Sequence, residues 1–409
     1  PVTYDHSFRS DNPLKGYAMK WAGHIGHNFT DLFYNLNRAK NYDDYRTAIK
    51  NHVAPAQNFV FASTEGDIAL WIQGKLPNKW KGQGKFLLDG TNPDHDWQGF
   101  IPQPFNPHVK NPERGFVSSA NQRPVDENYP FYVFNDWYEA DRNRVINDFF
   151  NAKEKFDIQD FKDLQNNNYN IRAAELLPLM IASVNDADLN QEELKILEEL
   201  KAWNYMNDIE EVGPSIWQYW WSRLYHLLWD EFDVKDVALR KPAYYHTVSL
   251  LKNSAEDVFM DIKETDEIET AQDLSVISFK ETVKSMTTWK AKNGDYNWKD
   301  YKSTHVDHLL QGLPAFSRFN LPIGGGSGIV NATKQNHGPS WRMIVEMSSP
   351  PKALGIWSDV FDGIYSQQRR NAKKRNDLTA LVRRFRLGAE ALPDGVVIYD
   401  DHRNIFWCN

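Results

Sequence analysis

The segment from residue 74 to 115 constrains this fold more than any other, because it is interrupted too often to be regular. Leu76-Pro77-Asn78, Asp89-Gly90, Asn106-Pro107, Asn111-Pro112 and Arg114-Gly115 punctuate it throughout. Proline fixes φ and removes a donor, and glycine opens positive φ, so a long helix cannot persist there. A stretch this long without periodicity inside a folded chain reads as an ordered loop lining a functional site.

The flanks of that loop are regular. Thr30-Asp31 is positioned to cap a helix from Leu32 to Ala39, and Asn41 to cap a second helix with Tyr42, Tyr45 and Ile49 on one face. Asn58 to Ala62 and Ile68 to Ile72 are apolar runs joined by Ser63-Thr64-Glu65-Gly66-Asp67, which predicts a β-hairpin. Phe116 to Ala120 reads as a further short strand ending at Asn121. From about 137 to 260 the apolar period is helical, with Leu176, Leu177 and Leu179 in one segment and Leu194, Ile196, Leu197 and Leu200 in another. A Trp- and Tyr-dense stretch from Ile216 to Trp229 belongs to the same helical region. Ile323 to Asn331 reads as a glycine-rich turn and Trp341 to Met347 as a strand. Residues 369–386 hold Arg369, Arg370, Lys373, Lys374, Arg375, Arg383, Arg384 and Arg386 against one acid, Asp377.

These changes divide the chain into a core segment at 1–152, a mainly helical region at 153–304, a returning core segment at 305–368 and a basic, divergent tail at 369–409. The fold class they predict is α+β.

With 47 Lys plus Arg against 55 Asp plus Glu, the net charge of −8 provides no global field for nucleic acid or an anionic membrane. No apolar run reaches membrane-spanning length. One cysteine, Cys408, excludes an intrachain disulfide framework and any multi-cysteine metal site. The 15 Trp, 18 Tyr and 23 Phe are spread along the chain, so they read as core and pocket surface rather than a dedicated sugar platform.

Three constellations invite chemistry and fall short of it. Glycines 324, 325, 326 and 328 suggest an anion cradle, yet no Gly-Lys-Ser/Thr follows and no GxGxxG opens a helix, which leaves a tight turn. His305 and His308, with Asp307 between them, are spaced for one helical face but lack a third ligand at a recognisable spacing. The basic run reads as a solvated or disordered face. No GxSxG elbow occurs, so no self-contained triad is visible.

The series Pro55-Ala56-Gln57-Asn58-Phe59-Val60-Phe61-Ala62, Glu65-Gly66-Asp67-Ile68, Gly74, Leu76-Pro77, Asp96-Trp97-Gln98-Gly99-Phe100-Ile101-Pro102, Asn111-Pro112 and Gly115-Phe116-Val117-Ser118-Ser119-Ala120-Asn121 resembles the penicillin acylase family of N-terminal nucleophile hydrolases. Further matches follow at Tyr129-Pro130, Ala140-Asp141-Arg142, Gly324-Gly325-Gly326 with Val330-Asn331-Ala332, and His337-Gly338-Pro339-Ser340-Trp341-Arg342, so the resemblance runs from about residue 16 to 346. It implies an αββα core and an enzyme that splits an acyl amide by acyl transfer. In that family an internal cut exposes the nucleophile as a new amino terminus, whose own amine serves as base. An amine with a pKa near 7.7–8.0 accepts a proton near neutrality, so no histidine is needed.

By that match Asn121 is the side-chain donor of the oxyanion hole; read alone, its context also allows an Asx-turn. Arg142 matches the position that orients the nucleophile's surroundings; read alone, it is a surface ion pair with Asp141 or Glu139. Gln57 falls where the family lines its acyl-chain pocket, with Asn58 beside it; both also suit a tie between the strand end and a neighbouring loop.

The resemblance further implies partners: an upstream processed segment carrying the nucleophile, and a small acyl-amide substrate. Pro1-Val2-Thr3-Tyr4 has nothing to replace that nucleophile, so this chain alone is expected to be inactive. No cofactor is expected. A structural calcium is compatible with the family, but its acidic position is not clearly kept around Asn135-Asp136. A periplasmic or secreted location is implied. The rival expectation is a non-catalytic module that kept the scaffold and pocket and binds acyl or aromatic ligands.

Overall fold

The computed structural model describes residues 18–133, 139–235, 239–310 and 313–347, and the backbone of residues 2–3, 237–238, 352–354, 397–399 and 405–408. The basic run at 369–386 and the acidic position at 135–136 lie outside the described residues. By its contacts the chain divides into one unit of residues 1–340 and a second of 341–409.

In the first unit a two-residue ladder joins β1 (Val2–Thr3) to β2 (Ala18–Met19). The first helices follow. Asn28, rather than Thr30-Asp31, caps α1 (Phe29–Leu36): its Oδ1 accepts from Thr30 N at 3.0 Å and Asp31 N at 3.4 Å. The helix therefore starts three residues before the expected Leu32. Asn41 caps α2 (Tyr42–Ile49) as expected, accepting from Asp44 N at 2.8 Å.

The predicted hairpin forms from β3 (Gln57–Ala62) and β4 (Ile68–Gln73), with Gly66 at φ +95° in its turn. A third strand, β5 (His108–Lys110), pairs with β4 through Trp71 and His108, so β3 lies at one edge of a three-stranded sheet. Trp71, stacked on His108 at 3.9 Å, joins Leu32, Tyr45 and Ile49 in a small core under α1 and α2.

Residues 74–107 run without regular structure beyond two 3-10 turns, yet they are tied down. Ile101 N bonds Leu76 O at 2.8 Å, and the buried Asn106 spans Ile72 O and Gly74 O at 3.1 Å each. Gln83 closes a turn on His95 O and Asp96 O. The loop expected over 74–115 is thus held by polar contacts up to 107, but residues 108–110 depart from it by pairing with β4 as β5.

The helical region contains α3 (Asp141–Asn151), α4 (Ile158–Gln165), α5 (Ile171–Ala182), α6 (Gln191–Ala202), α7 (Gly213–Leu228), α8 (Tyr244–Asn253), α9 (Ala271–Asn293) and α10 (Trp298–Lys302). Between α7 and α8 lies a two-residue ladder of β6 (Asp233–Val234) and β7 (Val237–Ala238). The main core is here. Trp220 of α7 is fully buried against Phe279 of α9, and its Nε1 donates to Ser275 O at 3.1 Å and Ser278 Oγ at 3.0 Å.

The chain returns to β with β8 (Thr304–Val306) against β9 (Arg318–Leu321). His305 therefore sits on a strand, and the helical face expected to align it with His308 does not exist, because the β8 backbone is paired. The glycine turn spends its amides on protein carbonyls, Gly325 N on Asn207 O and Gly326 N on Asn331 O. At Gly325 (φ +77°) an added Cβ would collide with the Asn331 carbonyl. In the second unit β10 (Ile344–Glu346) pairs with β11 (Lys352–Leu354), and β12 (Val397–Tyr399) with β13 (Ile405–Cys408). The mixed α+β composition is the one expected from the sequence.

Candidate active site

The segment 116–121 does not form the expected strand, because no neighbouring backbone pairs with it among the described residues. Side chains hold it instead. Asn58 at the start of β3 donates from Nδ2 to Ser119 Oγ at 2.9 Å. On the α3 side, Asn143 donates to Ser118 Oγ at 3.2 Å and that hydroxyl donates to Asn147 at 3.1 Å. The segment is thus fixed to a strand on one side and a helix on the other.

Its end is turned sharply. Asn121 sits at φ +69°, a left-handed conformation that asparagine tolerates better than most residues. The turn is closed by its neighbour, since Gln122 Oε1 accepts from Ala120 N at 2.7 Å. That leaves the Asn121 carboxamide free of an Asx-turn. Arg142, in the first turn of α3, donates from Nη2 to Asn121 Oδ1 at 2.9 Å and to Ala120 O at 2.8 Å. With its oxygen committed to Arg142, Asn121 turns its Nδ2 donors elsewhere, and they meet no acceptor among the described residues.

Arg142 is not paired with Asp141 or Glu139. Asp141 is 1% exposed and bound instead to Arg172 of α5, whose Nε and Nη2 lie 2.8 and 2.6 Å from Oδ2. Tyr245 of α8 donates to Asp141 Oδ1 at 2.8 Å and receives Arg144 Nη1 at 2.9 Å. Burial, then the bond to Asp141, push the Tyr245 phenol up to about 12. Burial also raises the Glu139 carboxyl above its ordinary range against the pull of Arg172. The start of α3 is therefore anchored to two other helices one residue before Arg142.

Of the four candidate residues, Asn58, Asn121 and Arg142 join one hydrogen-bonded line through the 118–121 segment. Asn58 makes the tie between strand and loop that the sequence also allowed. Gln57 pairs with Gln73 in the hairpin register and its side chain is exposed. Sequence reasoning gave no role to Ser119, Arg172 or Tyr245. Only the neighbouring Ala140-Asp141-Arg142 motif signalled that this helix start matters.

No group of three or more His, Cys, Asp or Glu side chains among the described residues is placed to hold a metal ion. No described helix is long and apolar enough to cross a membrane.

The family model of penicillin amidase matches residues 1–360. The chain belongs to the penicillin amidase family. This bears out the resemblance carried by the motifs from residue 16 to 346. An acyl-homoserine lactone acylase, QuiP of Pseudomonas putida, is 30% identical over 132 residues, 32% of this chain and 16% of that protein. Penicillin G acylase of Escherichia coli is 25% identical over 187 residues, 44% of this chain and 22% of the relative. The matches to these penicillin amidase relatives thus span less than a quarter of their length. Over 60 residues the chain is also 42% identical to the phosphate regulon sensor protein PhoR of Pseudomonas aeruginosa, 15% of this chain and 14% of that one. The solved thermostable penicillin G acylase from Alcaligenes faecalis aligns with a TM-score of 0.48 at 14% identity, covering 64% of this chain and 51% of its own.

Proposed function

We propose that this chain is the downstream part of an amidohydrolase that cleaves a linear acyl amide by acyl transfer to an N-terminal nucleophile carried on a segment preceding residue 1. The observation that carries the reading is the Asn121 carboxamide, clamped at its oxygen by Arg142 and presenting its N–H donors at a sharp turn beside β3. Attack on an amide carbonyl places negative charge on oxygen, and a donor already held in place stabilises that charge without reorganising. The nucleophile's own amine, with a pKa near 7.7–8.0, takes the attacking proton and returns it to the leaving amine. Water then releases the acyl group by the same route. On this reading Gln57 and Asn58, at the start of β3, line the pocket for the acyl chain.

Family membership supports the reaction class, and the unpaired outer edge of β3 among the described residues suits a further strand bearing the nucleophile. On this reading the complete protein is exported. The test compares the chain alone with the chain co-expressed with its preceding coding region on phenylacetyl, glutaryl and long-chain acyl amides. Hydrolysis by the second preparation only is the expected result. Inactivity of both on every acyl amide would overturn the reading.

A further inference from the structure

A concavity lies in the helical region between α7, α9 and α10, with a volume of about 790 Å³. That size takes a drug-sized organic molecule. Its wall is aromatic: Trp289 and Tyr301 meet at 5.6 Å between ring centroids, and Tyr219 stands beside them, its hydroxyl accepting from Ser285 Oγ at 2.7 Å. Burial pushes the Tyr301 phenol up to about 12, as a dry wall would. Four charged side chains also line the groove: Arg223, Glu281, Lys284 and Lys292. Arg223 and Glu281 form an ion pair and cancel. Lys284 and Lys292, eight positions apart on α9, both border the groove, are exposed and are in no ion pair among the described residues.

We propose that this groove binds an aromatic carboxylate, its ring on Trp289 and Tyr301 and its charge between Lys284 and Lys292. The argument is charge complementarity over an aromatic surface. A ring recovers apolar contact on half-buried aromatic faces, and the two uncancelled ammonium groups favour an anion over a neutral or cationic ligand of the same shape. This site does not depend on the hydrolytic reading.

The experiment is isothermal titration calorimetry of the full chain with 2-naphthylacetate and, as the neutral match, 2-naphthylethanol. The carboxylate is expected to bind at one site, to bind more weakly as salt rises, and to lose about tenfold in affinity in the Lys284→Gln/Lys292→Gln variant. Both lysines are exposed, so an unchanged melting temperature verifies that the variant is folded. Absence of binding, carboxylate binding that the double substitution leaves unchanged, or equal binding of the alcohol would each overturn the proposal. Binding at the hydrolytic site would not respond to these lysines, which keeps the two readings separable.

Discussion

Arg142 Nη2 lies 2.9 Å from Asn121 Oδ1 and 2.8 Å from Ala120 O, so one guanidinium holds both a carboxamide and the backbone that carries it. If this clamp aims the Asn121 donors, Arg142→Ala lowers kcat by about tenfold or more in the complete protein, because a donor left to rotate must be ordered again in each turnover. The Asn121→Ala/Arg142→Ala double variant should then be little worse than Asn121→Ala alone. Additive losses in kcat would show that Arg142 acts independently of Asn121.

The anchor behind this clamp predicts a stability effect. Asp141→Asn keeps the shape of the side chain but leaves Arg172 without its counter-charge in a largely buried site, which costs on the order of 3 kcal/mol. Urea unfolding measures it. A loss below about 0.5 kcal/mol would place this pair with ordinary surface ion pairs.

Lys302 supplies a prediction on pH. It is 7% exposed, and its ammonium donates to Gly324 O at 2.8 Å and Thr333 O at 3.0 Å. Burial lowers its pKa from 10.5 to about 8. Below pH 8 both folded and unfolded chains hold this proton, so it contributes no slope. Between about 8 and 10.5 the unfolded chain still holds a proton that the folded chain has released, and stability from this group rises with pH. Tyr245 has the opposite sign above its ordinary pKa of 10.0, which is why a comparison rather than a single profile is needed. Lys302→Met should be less stable than the natural protein by roughly 2 kcal/mol at pH 7, since two buried carbonyls lose their donor. The gap should widen from pH 8 towards pH 10 in urea titrations. A gap that stays constant with pH would contradict the lowered pKa.

What the sequence revealed was chiefly local. The hairpin needs only two apolar runs and a turn with Gly66, and the α2 cap needs only Asn41 and the amide of Asp44 three residues on. The first cap was misplaced because Asn28, Thr30 and Asp31 all have capping side chains and the choice depends on where Leu32 is buried. The long helix α9 gave little signal since Ser275, Ser278 and Thr282 share its buried face, each returning its hydroxyl to a carbonyl one turn back. The strand expected at 116–120 failed for a different reason: strand-like composition does not supply a partner. At the candidate site, 21 residues separate Asn121 from Arg142, and no periodicity links them. Only the motif resemblance singled out both, and their direct contact is a product of the fold.

The most direct test of the central claim is Asn121→Ala in the complete protein, with kcat measured beside the melting temperature. A donor that matters only when the carbonyl oxygen becomes anionic is worth about 10²–10³ in kcat, while substrate binding and folding largely survive its loss. The account predicts that fall with a melting temperature close to that of the natural protein. Normal turnover per folded molecule with a lowered melting temperature would contradict it and leave Asn121 as a turn residue held by Arg142.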